Sequence, residues 1–449
     1  MTPSDLNNLS HSLIKEALAV GADSADAIAI QGTSVSVDVR NGALEQAERS
    51  EGIDFGLRVF VGQKQASVSS SDTSIDIIKE MSIRAVAMAN EAPEDPYAGL
   101  ADATDLITAW DIEALQLFDN THEPTAKDLQ DDALMAECAA MKIKGVTQVQ
   151  QATCAYGTHQ IWLAASNGFS GGYGRTDRAT SCVAIAGSGA GMERDYSGDS
   201  RIFQNDLRCS NEIGREAGKR AVERIGARKP PTGTFPVLFD ERISSSLISH
   251  LLAAANGSAV ARGASWLRGK LGTQILPKEL NLIEDPHRPR TSGTRPFDAE
   301  GLPTQRRAII ENGVLLGWTL DLASARKLDM TSTANAARGT GGTPGPTNWN
   351  VSLNGGTASR DDLISDMGTG LLVTSMIGST INPNTGDYSR GAAGFWVENG
   401  AISYPVNECT IAGELPEMML GIIPANDGRT HLSRVVPSLL IPRMSVAGN

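Results

Sequence analysis

Three of the six Asn-Gly pairs, at residues 41–42, 312–313 and 399–400, constrain the fold of this chain more than any other pattern. Both residue types tolerate the left-handed backbone that a two-residue turn between antiparallel strands requires. The first pair follows the alternating sequence SVSVDVR at Ser34–Arg40, and Ala43–Ser50 would return beside it. The other two pairs lie between short apolar runs, at Arg307–Glu311 with Leu315–Thr319 and at Gly394–Val397 with Ala401–Val406. The sequence therefore predicts antiparallel hairpins towards both ends of the chain.

A strand followed directly by a helix is predicted near the middle of the chain. Thr234–Phe239 is rich in aromatic and branched apolar residues, and Asp240 can accept from the free N–H groups of a first helical turn. Apolar residues then recur with helical spacing, at Ile243, Leu247, Ile248, Leu251, Leu252 and Ala255. Asn256-Gly257 is a good helix stop, because both residues tolerate a left-handed conformation. This helix is expected to pack against a core, and its polar residues include Ser249 and His250.

Chain length and a proline-rich break predict two domains, residues 1–228 and 229–449. A chain of 449 residues exceeds what one core usually supports, and Arg228-Lys229-Pro230-Pro231 cannot continue a helix. The first part combines helices with an antiparallel sheet, which indicates an α+β fold. Its strands are expected to be short and separated by breaks, and glycine-rich 167–174 is expected to be a flexible hairpin. Besides the hairpin strands already given, they include Ala25–Gln31, Ile53–Val61, Val146–Ala155 and Gly157–Ser166, which places breaks near Gly32, Gly52 and Tyr156. The second part has many short strands and turn signals, which indicates a β-rich, barrel-like domain.

Charge and composition exclude several classes of protein. The net charge of -13 argues against binding to nucleic acid or anionic membrane, since no basic excess is available to neutralise phosphates. No apolar run is long enough to span a membrane, and the N-terminus lacks the pattern of a signal peptide. The five cysteines are widely spaced and form no CxxC, which argues against disulfides and a zinc knuckle. We therefore expect a cytoplasmic protein.

Conventional catalytic motifs are missing from the sequence. No two of the six histidines lie within five residues of each other, and neither HExxH nor GxSxG occurs. Ser249 and His250 are adjacent, so on a helix they project about 100° apart and cannot pair with each other. A triad assembled from distant residues stays open at this point. We expect neither a metal nor another cofactor.

Four longer segments together form a recognisable pattern over nearly the whole chain. They read RNGALEQAERSEGIDFGLRVFVGQKQASVSSSD, EDPYAGL, INPNTGDYSRGAAGFWVENGAISYPVNECTIAGEL and PSLLIPRMSVAG. In this order they strongly resemble the TldD/PmbA family, whose members are also labelled modulators of DNA gyrase. TGDYSRGAAGFWVENG is the most specific part, and it is similar to the PmbA (TldE) branch.

The resemblance implies an N-terminal α+β domain, a C-terminal barrel-like domain and a link to peptide hydrolysis. The sister TldD branch binds its metal through an HExxxH helix and a cysteine near the C-terminus, and it pairs with TldE. Matching Arg262-Gly263-x-Ser265 to a similar RG-x-S in that branch places the metal histidines at Ile248 and Ala253 and the catalytic glutamate at Ser249. None of these side chains can perform that chemistry, and no cysteine follows Cys409.

The resemblance therefore predicts a catalytically silent subunit of a peptidase complex. Its partner would be a TldD-like metallopeptidase subunit or a second copy of itself. Together they would enclose a chamber and hold an extended peptide by strand addition. The expected substrate-facing segments are 335–350 and 382–390, with the candidate residues Asn335, Arg338, Asn348, Tyr388 and Arg390. Two alternatives remain, an autonomous metal-independent hydrolase and a client-binding protein that acts on DNA gyrase.

Overall fold

The computed structural model describes residues 2–448, without the side chain of Ser379. Within this range the α-helices are α1 (Pro3–Ala19), α2 (Ile75–Glu91), α3 (Ile112–Leu115), α4 (Ala126–Met141), α5 (Ser210–Glu223), α6 (Glu241–Ala254), α7 (Gly257–Ala261), α8 (Leu322–Lys327), α9 (Arg360–Met367) and α10 (Leu415–Leu420). None of the helices in this range is both long enough and apolar enough to cross a membrane.

The strands of the first half are β1 (Ser24–Arg40), β2 (Ala43–Val61), β3 (Lys64–Ser70), β4 (Val146–Ala165), β5 (Ser170–Ala186) and β6 (Glu193–Arg201). Those of the second half are β7 (Gly233–Phe239), β8 (Leu282–Glu284), β9 (Arg307–Glu311), β10 (Val314–Leu315), β11 (Ala336–Ala337), β12 (Gly345–Pro346), β13 (Val351–Leu353), β14 (Gly370–Ile381), β15 (Asp387–Glu398), β16 (Ala401–Glu414), β17 (Ile423–Pro424), β18 (Arg434–Val435) and β19 (Leu439–Ala447).

The N-terminal half is an antiparallel sheet with the strand order β3-β2-β1-β4-β5-β6. Helices α1 and α2 bury their apolar sides against one end of it, with Leu13 and Phe55 in that core. Helices α4 and α5 cover the other end, where Val37 and Ile213 are fully buried. The predicted α+β architecture is confirmed.

The strands of this sheet are longer than predicted, and three predicted breaks are wrong, one of them at Tyr156 in the middle of β4. The chain does not turn near Gly32 or Gly52; these glycines pair with each other inside the β1–β2 ladder. Glycine is needed at position 32 because a Cβ there would lie 2.7 Å from Nδ1 of His159. The glycine-rich segment does contain a hairpin turn, at residues 167–169, but residues 170–174 are part of β5, where Gly172 leaves space for the Trp162 ring.

The C-terminal half contains a closed five-stranded barrel, as predicted. Its strands are ordered β16-β15-β14-β7-β19, and pairing of residues 410–412 with 445–447 closes it between β16 and β19. Strand β17 adds to the outer edge of β19, and a second sheet has the order β10-β9-β8-β13-β18. One large core contains residues of the barrel, the second sheet and α6, among them Trp396, Ile310 and Leu251.

All three predicted Asn-Gly turns are present. They join β1 to β2, β9 to β10 and β15 to β16. In each pair both residues have positive φ, as in Asn41 with 55° and Gly42 with 72°. This backbone matches the right-handed twist of the flanking strands, which explains why so local a signal predicts a hairpin.

The predicted strand and helix near the middle of the chain are β7 and α6. Asp240 caps α6, and its carboxylate accepts a hydrogen bond from the N–H of Arg242. The predicted apolar side is buried, from Leu247 and Ile248 to Ala255. The predicted stop is in the right place, but Asn256 is not left-handed. Its φ is -70°, and its side chain caps the next helix, α7.

Candidate functional site

The positions matched to the metal ligands lie on the second half of α6. Ile248 is completely buried in the core, whereas Ala253 is exposed. Residues five apart on a helix are separated by roughly 140°, so these two side chains face different sides. What removes metal binding at this pair is therefore the chemistry of the two side chains, since neither isoleucine nor alanine has an atom that can bind a metal.

Ser249, the position matched to the catalytic glutamate, is held by two neighbours. Its hydroxyl donates to the main-chain oxygen of Ser245 at 2.7 Å and accepts from Nη1 of Arg434 on β18. Burial lowers the pKa of the Arg434 guanidinium. The sequence did not identify Arg434, because nothing in its local segment distinguishes it from a surface arginine.

His250 is grouped with two of the predicted site residues, Tyr388 and Arg390. The His250 and Tyr388 rings lie edge to face with their centroids 5.9 Å apart. Burial, reinforced by the charge of Arg390, lowers the pKa of His250, so the imidazole is neutral near pH 7. Its Nε2 is buried and has no hydrogen-bond partner among residues 2–448. Arg390 donates from Nε to the main-chain oxygen of Gly378 at 2.7 Å, across the β14–β15 hairpin.

Tyr388 is buried near the turn of the same hairpin, where it pairs with Ile381 in the β14–β15 ladder. Only 2% of the residue is exposed, and its hydroxyl lies 3.4 Å from Sδ of Met376. Burial raises the pKa of Tyr388 to about 12. The phenol is therefore neutral at physiological pH, and it can donate a hydrogen bond but not act as a base.

Two further predicted residues, Asn335 and Asn348, meet at a buried glutamate. Glu284 is 1% exposed, and its Oε1 accepts from Nδ2 of Asn335 at 3.0 Å and from Nδ2 of Asn348 at 3.2 Å. The N–H of Trp349 donates to the same oxygen at 2.6 Å, and Arg307 pairs with Oε2 at 2.7 Å. This network fixes both ends of the 335–350 loop. Its sequence context, LNLIEDP, gives no signal that the glutamate is buried.

The fifth predicted residue, Arg338, lies at the junction of the two halves. It forms an ion pair with Asp26 on β1, and Arg58 on β2 pairs with the same carboxylate. Burial opposes ionisation of Asp26, but the two guanidinium charges outweigh it and lower its pKa. The five predicted residues thus fall in three places: Tyr388 with Arg390, Asn335 with Asn348, and Arg338 at the junction.

The residues at the matched positions do not fit a zinc ion. Zinc sites in proteins use histidine, cysteine, aspartate or glutamate side chains. Among residues 2–448, no three side chains of these types form a group that could hold a metal. The Cys409 thiol is buried and donates to the main-chain oxygen of Ala392, and burial raises its pKa to about 11, which keeps it protonated.

Comparison with known proteins matches three consecutive family models to the chain. They are the PmbA/TldA metallopeptidase domain 1 at residues 25–89, the central domain at 119–225 and the C-terminal domain at 232–448. The metalloprotease PmbA of Escherichia coli O157:H7 is 36% identical over 95% of this chain and 93% of its own length. The PmbA homologue of Haemophilus influenzae is 35% identical, over 95% and 92%.

Solved structures have the same fold. A Bacteroides thetaiotaomicron protein described as a candidate modulator of DNA gyrase superposes with a TM-score of 0.88 at 26% identity, over 98% of both chains. TldE from Thermococcus kodakarensis gives a TM-score of 0.83 at 19% identity, over 98% of this chain and 100% of its own, which concerns the fold alone. On the extent of these sequence matches, the chain belongs to the PmbA/TldD metallopeptidase family.

Proposed function

We propose that this protein is a non-catalytic, TldE-like subunit of a cytoplasmic TldD/TldE-type metallopeptidase. It would form a heterodimer with a metal-bearing TldD-like subunit, help enclose the chamber and bind extended or unfolded peptides. The observation that carries the proposal is the set of side chains on α6 at the positions matched to the metal ligands and the catalytic glutamate. These are a buried isoleucine, an engaged serine and an exposed alanine.

The peptide contacts are assigned to the β14–β15 hairpin. Ile377 on β14 is 77% exposed, an unusual place for a large apolar side chain on a strand that continues into the barrel. Arg390 crosses the hairpin beside it, and a guanidinium can bind a peptide carboxylate with two parallel hydrogen bonds. Tyr388 is buried near the turn of the hairpin and contacts Met376 on the opposite strand. An extended peptide could add along these strands through its main chain.

Asn335, Arg338 and Asn348 are assigned a supporting role in the same function. Their side chains are engaged within the chain, with Glu284 or Asp26 as partners. They would hold the 335–350 loop in shape, and the exposed loop tip around Gly341–Thr343 would present main-chain groups to a substrate.

The decisive experiment compares the isolated chain with a reconstituted pair. The purified chain should bind no stoichiometric zinc and cleave no unfolded peptide. Mixed with the TldD-like chain from the same organism, it should elute as a one-to-one complex whose peptidase activity is lost with a chelator. Tight zinc binding and chelator-sensitive cleavage by the isolated chain would disprove the proposal.

An autonomous hydrolase built on Ser249 is the first rival. It requires that Ser249→Ala or His250→Ala abolish a peptidase or amidase activity of the chain alone, while the neighbouring Ser245→Ala does not. The bonding of Ser249 to Ser245 and Arg434, with no pairing to the adjacent imidazole, argues against it.

A client-binding role is the second rival, and what favours it is the description of similar solved structures from Bacteroides thetaiotaomicron and Thermotoga maritima as candidate modulators of DNA gyrase. Affinity purification from the native host separates it from the main proposal. Recovery of a TldD-like chain supports the peptidase subunit, whereas recovery of gyrase without such a chain supports the rival.

A further inference from the structure

A cavity of about 160 Å³ lies between the N-terminal sheet and the C-terminal half. Its apolar wall is formed by β1 and β4, with the residues Ile28, Ile30, Ile161 and Leu163. The opposite wall comes from segments 295–299 and 336–338 and from Trp349. None of the α6 residues lines this cavity, so it is separate from the α6 positions, but Arg338 and Trp349 of the candidate site form part of its wall.

Arg338 supplies a buried positive charge to the wall. Its side chain is only 2% exposed, and Nη1 pairs with Asp26. Neither Nε nor Nη2 has a hydrogen-bond partner within residues 2–448. Arg58 shares the same aspartate, so two guanidinium groups face one carboxylate. Buried donors without an acceptor are costly, and a ligand that accepts hydrogen bonds would remove that cost.

Arg295 adds a second guanidinium to the lining. Its Nη1 donates to the Tyr173 hydroxyl at 2.8 Å, and its Cζ lies 4.8 Å from the centroid of the Trp349 ring. Within the described part of the chain, no carboxylate forms an ion pair with it. The aromatic face holds the guanidinium in place without neutralising its charge.

One acidic residue, Asp298, also lines the cavity, but its charge is weakened. Its carboxylate accepts from the N–H groups of Glu300, Leu302 and Ala336, so both oxygens are occupied. Burial raises the pKa of Asp298 to about 7. The cavity therefore has an apolar floor and a cationic end.

We propose that this cavity binds a carboxylate attached to a compact apolar group, with the carboxylate at Arg295 and Arg338. The apolar group would lie against Ile161 and Leu163. A cavity of roughly 150 Å³ is large enough for benzene, which sets the size of that group. The carrier is either a free small acid or the C-terminal residue of a peptide. The inference goes beyond the proposed function, because it requires neither a partner subunit nor cleavage.

Calorimetric titration of the full chain tests the proposal with matched pairs of ligands. Phenylacetate is compared with neutral phenylacetamide, and the peptide Gly-Gly-Gly-Phe with its C-terminal amide. At least one acid should bind, and its amide should bind about tenfold more weakly or worse, since a charged acceptor is lost. Binding of phenylacetate alone identifies a free acid, and binding of the peptide alone a C-terminus. If neither acid binds, or acid and amide bind equally, the proposal is wrong.

Variants locate the binding in this cavity. Arg295→Gln removes one charge from the lining and should weaken binding of the acid about tenfold. Arg306→Gln, at a side chain that is 66% exposed and outside the lining, is the matched control and should bind normally. Ile161→Phe fills the cavity and should abolish binding while the melting temperature stays close to wild type. Undiminished binding by a folded Arg295→Gln or Ile161→Phe protein would overturn the assignment.

Discussion

Gly56 on β2 has no room for a side chain, because the main chain of the 335–350 loop crosses directly over it. A Cβ at Gly56 would lie 1.8 Å from the carbonyl oxygen of Thr340. Ordinary contact begins near 3.4 Å, so that carbonyl would have to retreat by roughly 1.6 Å. The loop cannot move freely, since Arg338 is fixed to Asp26 only two residues away.

We predict that Gly56→Ala lowers the free energy of unfolding by about 1–3 kcal/mol, the usual cost of overpacking. Gly52→Ala on the same strand is the matched control, because nothing lies within 4 Å of a Cβ there. The control should be neutral or gain up to about 1 kcal/mol from the less flexible unfolded chain.

Scanning calorimetry and hydrogen exchange measure this pair of variants. Gly56→Ala should melt earlier, and amide exchange should accelerate in 335–350. Gly52→Ala should change neither property for the worse. If both variants keep the wild-type melting temperature and the wild-type exchange of the loop, the contact does not hold the loop and the reasoning is refuted.

Three further predictions concern buried charges and thiols. Glu284→Ala leaves Arg307 and three other donors without their acceptor, so it should lower the free energy of unfolding by about 3–5 kcal/mol. Glu279→Ala, at an exposed position, should lower it little. Equal melting temperatures of the two variants would contradict the role of the Glu284 network. Burial raises the pKa of Glu300 from 4.5 to about 8. Between pH 4.5 and 8 the folded chain therefore keeps a proton on Glu300 that the unfolded chain releases, and the free energy of unfolding should fall as the pH rises through this range. Glu300→Gln should make the melting temperature less dependent on pH in this range. If the variant and the wild type show the same dependence, Glu300 does not cause it. A thiol reagent at pH 8 should modify two cysteines of the native protein, Cys138 and Cys209, and all five cysteines in denaturant. The other three are buried, which raises the pKa of Cys154 and Cys182 to about 12 and that of Cys409 to about 11. Rapid modification of a third cysteine in the native protein would contradict this burial.

Local signals predicted much of the secondary structure. The Asn-Gly turns and the α6 helix were correct because backbone conformation and the spacing of apolar residues depend on a few neighbouring positions. The same local reasoning fails at Gly32, where it predicts a break in a strand, and at Gly172, where it predicts a flexible hairpin. Each glycine instead makes room for a side chain from the paired strand, His159 or Trp162, and only the register of the sheet reveals that need.

The candidate site was predictable in part. The resemblance located α6 and the 382–390 segment, and the structure brings Tyr388 and Arg390 together with His250. The resemblance could not indicate that Asn335 and Asn348 donate hydrogen bonds to the same Glu284 carboxylate, or that Arg434 donates one to Ser249. These contacts join segments between 51 and 185 residues apart, and an isolated polar residue has no periodic pattern around it.

The sequence alone determined the family and the α+β and barrel architecture. It could do so because turns, helix faces and residue identities are local properties. The tertiary structure decided where each polar side chain is used. Asp26 and Arg338 lie 312 residues apart, and only folding brings them to the junction where the cavity forms. Burial, and the charge balance that burial imposes, depends on every segment packed around a residue, which no single stretch of sequence contains.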